Sequence, residues 1–178
     1  MGQAMVKSVR GPILGSLVFL VLAPGTVAGW IPWTISRWRV DPPFLGWSLF
    51  RVVGALLMST GAALLLDSFA RFALQGRGTP APILPTQRLV VTGAYRYVRN
   101  PMYVAVMCLI LGQACLFGNP LLALYGALIG HAFAAFVLAY EEPVLRRRHG
   151  AEYTRYCRGV GRWLPRLTPW SDPFSGRE

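Results

Sequence analysis

The sequence has few charged residues, and very few of them are acidic. Only 14% of its 178 residues are charged, with seven Asp and Glu against 18 Lys and Arg, while 54% are hydrophobic. The mean hydropathy is +0.43. Soluble domains carry roughly 25% charged residues, so this composition argues against a soluble globule. At this length we expect one compact membrane domain, residues 1–178, whose apolar surface faces lipid or neighbouring helices.

Cysteine is also scarce, and its positions follow no site pattern. Cys108 and Cys115 lie in one apolar run and Cys157 lies in a basic segment, which is neither a disulfide framework nor metal-ligand spacing. We therefore expect packing residues and no metal. The net charge of +11 does not indicate nucleic acid, because the arginines lie between and after the apolar runs, as in the loops of membrane proteins.

Four apolar runs predict an all-α fold, a polytopic bundle of about four transmembrane helices, since a spanning helix needs roughly 20 residues. In the first run, Pro24 and Gly25 predict a kink within a continuous helix. A signal peptide cleaved near Ala28 is the alternative for that run. The four runs are Gly11 to Trp33, Phe44 to Leu66, Pro101 to Phe117 and Pro120 to Tyr140.

The third and fourth runs are separated only by Gly118 and Asn119, which predicts a tight antiparallel hairpin. Gly126, Gly130 and Ala134 recur every four positions on the fourth helix. Small residues at this spacing let another backbone approach closely, and we expect packing within the monomer, with a dimer interface as the alternative.

Arginine and lysine are distributed unequally between the two sides of the bundle. Two precede the first helix, five lie between the second and third, and eight follow Tyr140, whereas only Arg37 and Arg39 lie clearly on the other side. The positive-inside rule then places both termini in the cytoplasm. The expected location is the bacterial inner membrane.

Polar residues concentrate in two segments that the hairpin brings together, 76–103 and 141–165. Glu141 and Glu142 stand at the end of an apolar helix, where carboxylates are costly unless they meet cations or solvent. Arg146 to Arg148 could neutralise them at helical spacing; alternatively, one carboxylate faces inward and holds a cationic ligand. Leu145, His149, Tyr153 and Tyr156 then predict an amphipathic helix lying on the membrane.

At these two segments the chain resembles the superfamily of isoprenylcysteine carboxyl methyltransferases and phospholipid methyltransferases. Residues Leu89 to Tyr103 resemble the family pattern G-x-Y-x-x-x-R-H-P-x-Y, and Glu141-Glu142 is followed by Gly150, Tyr153, Tyr156 and Pro165. The resemblance covers the C-terminal half and implies an N-terminal helical hairpin, residues 1–70, ahead of a cofactor-binding core, residues 71–178.

The resemblance implies an S-adenosylmethionine-dependent methyltransferase that acts on a lipophilic or small amphipathic acceptor among membrane lipids. Asn100 and Glu142 are the candidate catalytic residues, and Glu142 is either a general base or a structural partner of Arg146. The implied cofactor-binding residues are Gln87, Arg88, Leu89, Val90, Tyr95, Arg99, Asn100, Pro101, Tyr103 and Glu141.

Two departures from the family pattern bear on the substrate. Asn100 stands where the family often has His, and it cannot become charged near neutral pH. Val137 stands where the isoprenylcysteine enzymes have an Arg that holds the substrate carboxylate, so we expect prenylcysteine acids to be poor substrates. The alternatives to a methyltransferase are an NADPH-dependent sterol-type membrane reductase and a non-catalytic lipid-binding protein of the same fold.

Overall fold

The computed structural model describes residues 18–75 and 89–172, and within them the chain is almost entirely helical. Gln87, Arg88 and the first residues of the first apolar run lie outside the described residues. The helices are α1 (Val18–Ser36), α2 (Leu49–Gln75), α3 (Pro101–Phe117), α4 (Pro120–Phe136) and α5 (Glu142–Gly159), with a π-helical turn, Val137–Glu141, joining α4 to α5. The described part of the chain contains no β-strand, and the predicted all-α fold is confirmed.

Three helices are long and apolar enough to cross a membrane: α1, α2 and the helical stretch Pro120–Gly159, which is kinked at Gly150. The fourth, α3, has 17 residues, which is at the short end of the roughly 17–25 needed. It begins and ends as predicted, with Gly118 in the left-handed conformation at φ 67° and the Asn119 side chain accepting hydrogen bonds from the first turn of α4. This hairpin places the start of α3 beside the end of α4.

Helix α1 continues past Pro24 through a π-helical turn, Thr26–Trp30. Its irregular backbone is anchored by neighbouring helices: Gln113 Nε2 donates to the Ala28 carbonyl at 2.7 Å, and the Tyr125 hydroxyl donates to the Val27 carbonyl at 2.9 Å. Side chains of adjacent helices satisfy backbone groups in this way where lipid offers no water. The helix therefore continues through the irregular turn without ending.

The predicted bounds of the second helix were wrong at both ends. Residues Phe44–Gly46 form a separate short turn, because Leu45 adopts a left-handed conformation. The helix then runs beyond Leu66 to Gln75, where Asp67 and Arg71 form a two-pronged ion pair one turn apart, at 2.8 Å for each bond. This pair lets a helix continue beyond the apolar stretch.

Close packing of α2 on α3 depends on glycine. A Cβ at Gly54 would lie 2.5 Å from the Leu116 backbone nitrogen, and one at Gly61 would lie 2.8 Å from the Ala105 carbonyl oxygen. On α4, Gly126 packs against Leu111 within the monomer, where a Cβ would lie 2.8 Å from its side chain, whereas Gly130 lies beside the tip of Met107.

The segment after Gly159, which we call the C-terminal strap (residues 160–172), lies along the segment that precedes α3. Val98 and Gly161 form an isolated parallel bridge, and the backbone nitrogens of Arg99, Arg166 and Trp170 each donate to a carbonyl of the other segment at 2.9 Å. Both segments lie at one end of the bundle, which we call the arginine-rich end.

Gly93 opens the short turn before Tyr95 and has φ 53°. A Cβ at this position would collide with the Arg71 guanidinium, and a left-handed conformation disfavours any L side chain. We expect Gly93→Ala to destabilise the protein by about 2 kcal/mol, measured as thermal unfolding in detergent. Gly29→Ala is the matched control, because a Cβ there meets nothing within 4 Å. Equal unfolding temperatures for the two variants would contradict this account.

Candidate active site

A cavity of about 180 Å³ opens at the arginine-rich end of the bundle. Its polar wall comes from the start of α3 with the segment before it, and from the end of the π-helical turn. Its apolar wall comes from the four helices α1 to α4. The polar wall contains Tyr95, Arg99, Asn100, Tyr103 and Glu141; the apolar wall contains Phe19, Ala23, Pro24, Val27, Leu65, Met102, Val106 and Phe133.

Glu141 is the only acidic residue on the walls of this cavity among the described residues. It is half-buried, and the Tyr103 hydroxyl donates a hydrogen bond to its Oε2 at 2.9 Å. A carboxylate in this position favours a cationic ligand, because a buried negative charge is costly without a partner. The aromatic faces of Tyr95 and Tyr103 on the same wall also favour a cation.

Arg99 is the only cation on those walls within the described part of the chain. Its side chain is 10% exposed, and its Nη1 lies 3.1 Å from Glu142 Oε1 and 2.8 Å from Cys157 Sγ. Its Nε is buried and has no hydrogen-bond partner. A buried donor without a partner is unfavourable, and Arg99 adds a positive charge to a cavity wall that also has one carboxylate.

Glu142 points away from the cavity, although it is adjacent to Glu141. It is 8% exposed, and the Arg162 guanidinium donates two hydrogen bonds to its carboxylate, at 2.6 and 3.0 Å. Arg99 lies on its other side, 3.1 Å from Oε1. A carboxylate held by two arginines in this way is a weak proton acceptor, so the geometry favours the structural alternative over the general base.

The expected partners of the two carboxylates were wrong in one respect. Arg146, Arg147 and Arg148 are exposed and make no direct ion pair with Glu142, whose partners are Arg99 and Arg162. Helical spacing does place Arg146 one turn after Glu142. The closer partner comes from the C-terminal strap, 20 residues along the chain.

Tyr95 and Asn100 are held in the cavity wall by the same strap and by α5. The Tyr156 hydroxyl donates to the Tyr95 carbonyl at 2.6 Å, and Asn100 Nδ2 donates to the Arg162 carbonyl at 3.1 Å. Burial, with smaller contributions from Tyr156 and Glu141, raises the pKa of the Tyr95 phenol well above its ordinary value. Tyr95 therefore stays protonated and can only donate or accept a neutral hydrogen bond.

The structure does not bring every predicted residue to the cavity. Leu89 packs against the buried Tyr153 and Tyr156 of α5, Val90 is half-buried elsewhere, and Pro101 is buried as the first residue of α3. Their part in cofactor binding stays a prediction. The sequence interpretation missed the α1 wall, where the Pro24 break was the available signal, and it missed Arg162, for which no sequence signal was found.

A second, apolar cavity of about 330 Å³ lies along α3 and α4, and we call it the α3–α4 groove. Phe133 lines both cavities, and its ring lies 4.7 Å from the ring of Tyr103. The ring of Trp163 in the strap lies near the same end of the groove, with its centroid 6.5 Å from that of the Tyr103 ring. The groove is lined by Leu57, Val104, Met107, Cys108, Leu111, Gly130, Phe133, Ala134 and Trp163.

Comparisons with known proteins found methyltransferases that are similar to this chain in sequence. The chain is 30% identical over 78 residues to protein-S-isoprenylcysteine O-methyltransferase B of Arabidopsis thaliana, covering 44% of this chain and 40% of the relative. It is 32% identical over 78 residues to a probable protein-S-isoprenylcysteine O-methyltransferase of Oryza sativa subsp. indica, covering 44% and 41%. The chain thus matches about two fifths of the length of these relatives. No solved structure matches the chain.

The family model for phospholipid methyltransferase matches residues 49–152, which is more than half of the chain. This match runs from α2 to the middle of α5 and includes the polar wall of the cavity with Glu141. The resemblance inferred from the two motifs is confirmed, and the chain belongs to the phospholipid methyltransferase family.

Proposed function

We propose that this integral membrane protein is an S-adenosylmethionine-dependent methyltransferase that acts on a lipophilic or amphipathic acceptor at the cytoplasmic face. The proposal depends on one observation: two cavities of different character lie next to each other. One has a carboxylate and a guanidinium on its walls, the other is apolar and lies along α3 and α4, and Phe133 lines both. A polar cofactor and a lipophilic acceptor need such an arrangement.

The residues of the first cavity suit the cofactor's charges. S-adenosylmethionine carries a carboxylate, an amino group and a sulfonium whose methyl group is transferred. The Arg99 guanidinium favours a carboxylate, and the Glu141 carboxylate favours a positive charge. Tyr103 holds the Glu141 carboxylate in place, and the apolar wall of α1 and α4 excludes water from the site.

The α3–α4 groove suits the hydrocarbon part of an acceptor. A methyl transfer is an in-line displacement, so the protein chiefly has to align the acceptor and exclude water. The Tyr103 and Phe133 rings stand between the two cavities, and an acceptor lying in the groove would present its polar group there. Trp163 closes the same end of the groove from the strap.

Two ligand titrations separate this proposal from its alternatives. We expect purified protein in nanodiscs to bind S-adenosylhomocysteine and to show no saturable binding of NADPH. Binding of NADPH alone would indicate the reductase, and binding of neither ligand would indicate a non-catalytic lipid-binding protein. Transfer of labelled methyl groups to a lipid extract then identifies the acceptor.

Prenylcysteine acids are expected to be poor acceptors. Val137 is almost fully buried and offers no cation to a carboxylate. Arg99 already contacts Glu142 and Cys157, so a substrate carboxylate would compete with these partners and with the cofactor for the same guanidinium. The assay compares a farnesylated cysteine with phosphatidylethanolamine and a hydrophobic thiol, with Val137→Arg as the companion variant. Efficient esterification by the parent without a gain in Val137→Arg would overturn this expectation.

Filling the α3–α4 groove should reduce transfer to long-chain acceptors. Gly130→Leu adds a side chain where Met107 Cε would lie 3.3 Å from a Cβ, and we expect roughly tenfold lower kcat/KM with unchanged cofactor affinity. Ala127→Leu is the control, because Ala127 lies on the same helix but is exposed and does not line the groove. A short-chain acceptor should be affected much less, and equal losses for both variants would contradict the assignment.

The proposed orientation has both termini in the cytoplasm of a bacterial inner membrane. Glu152 is exposed on α5, so a cysteine at this position should react with a membrane-impermeant maleimide only after the cells are opened. Labelling in intact cells would show that the orientation is opposite to the proposed one.

A further inference from the structure

Two large apolar side chains of the C-terminal strap are left uncovered by the described residues. Leu164 is 82% exposed and Leu167 is 98% exposed, and both lie beyond the end of α5. Full exposure of a leucine pair to water is unfavourable, because each fully exposed side chain forgoes roughly 1.5–3 kcal/mol of burial. An apolar surface that covers them would therefore be stabilising.

Hydrogen bonds of the strap backbone keep these leucines in their exposed positions. The Arg166 backbone nitrogen donates to the Tyr97 carbonyl and the Trp170 backbone nitrogen to the Arg96 carbonyl, each at 2.9 Å. The Arg166 side chain also donates to the Gly159 carbonyl at 2.8 Å. Because the strap is hydrogen-bonded on both sides of Leu167, its backbone opposes a rotation that would turn the two leucines towards the protein.

Trp163 connects the strap to the apolar helices. Its ring lines the α3–α4 groove, whose other walls come from the apolar helices α2, α3 and α4. A tryptophan at the end of such helices is typical of the membrane–water interface. Leu164 follows Trp163 directly, which favours a position of the strap along that interface.

Basic residues lie at this edge of the bundle. Arg162 of the strap pairs with Glu142, and Arg146 lies one helical turn after that carboxylate. Arg146 and Arg147 are exposed and lie on the first turns of α5. Exposed arginines next to inserted leucines complement anionic headgroups, as in interfacial amphipathic segments.

We propose that Leu164 and Leu167 insert into the bilayer interface, and that Arg146 and Arg147 bind anionic phospholipid headgroups beside them. The strap then becomes a lipid-anchored brace of the site, because it also carries Arg162 and the carbonyl that accepts from Asn100. This surface is independent of the identity of the methyl acceptor and of the cofactor.

Spin labels measure the insertion directly. Single cysteines replace Leu164, Leu167 or the exposed control Glu152, in a background in which Cys108 and Cys115 become Ala and Cys157 becomes Ser. In nanodiscs we expect the ratio of oxygen to nickel-chelate accessibility to be several-fold higher at positions 164 and 167 than at position 152. Equal ratios at all three positions would overturn the insertion.

Retained lipid measures the headgroup contact. Protein purified from mixed phosphatidylglycerol and phosphatidylcholine vesicles should retain phosphatidylglycerol preferentially, and Arg146→Gln with Arg147→Gln should lower that preference by roughly fivefold per arginine. Arg39→Gln is the control, since Arg39 is exposed at the other end of the bundle. An unchanged preference in the double variant, or an equal fall in the control, would overturn the headgroup assignment.

Discussion

Glu141→Gln is expected to weaken S-adenosylmethionine binding by roughly tenfold to a hundredfold, because a charge-assisted contact contributes on the order of 1.5–3 kcal/mol. Among the described residues, Glu141 supplies the one carboxylate on the walls of the first cavity, and the amide keeps its size while removing its charge. The loss should be smaller for S-adenosylhomocysteine, which lacks the sulfonium charge. Isothermal titration of both ligands in nanodiscs measures the difference.

Tyr103→Phe provides the graded comparison. This variant removes the hydrogen bond to Glu141 Oε2 and leaves the carboxylate in place, so the expected loss of affinity is about threefold to tenfold. Glu152→Gln is the control for a change of net charge, because Glu152 is exposed on α5. Unchanged binding in a Glu141→Gln protein with the parent's unfolding temperature would remove Glu141 from the cofactor site.

Glu142→Ala is expected to destabilise the protein by about 3 kcal/mol. The substitution leaves Arg99 and Arg162 close together without their shared carboxylate, and removing one member of a buried ion pair typically costs about 3–5 kcal/mol. Thermal unfolding in detergent measures it, with Glu152→Ala as the exposed control. A shift no larger than the control's would show that the cluster contributes nothing to stability.

The family and the helical hairpin could be predicted from the sequence because both depend on neighbouring residues. Pro101 and Pro120 begin helices and Gly118 ends one through local backbone preferences, so both helices start where they were expected. The G-x-Y motif and Glu141 were identified through the resemblance, and the hairpin explains why they meet: it returns the chain to the end where α3 began. Such features need no knowledge of distant contacts.

The remaining features of the site depend on contacts between distant segments. Arg162 reaches Glu142 from 20 residues away, and Tyr156 reaches the Tyr95 carbonyl from 61 residues away. Composition and helical spacing assigned the nearer Arg146 to Glu142 because they contain no information on how the strap returns. Which arginine pairs with a carboxylate is decided by the path of the chain after the helix ends.

A helical membrane bundle of the phospholipid methyltransferase family could be predicted from the sequence, since apolar run length, helix-starting prolines and short motifs are all local signals. Which carboxylate faces the cavity, and which is held by arginines, became clear only from the folded chain. The same is true of the apolar wall that α1 supplies and of the strap that lies along the segment before α3. These outcomes follow from buried charges and backbone groups finding their partners across the whole chain, which no local pattern specifies.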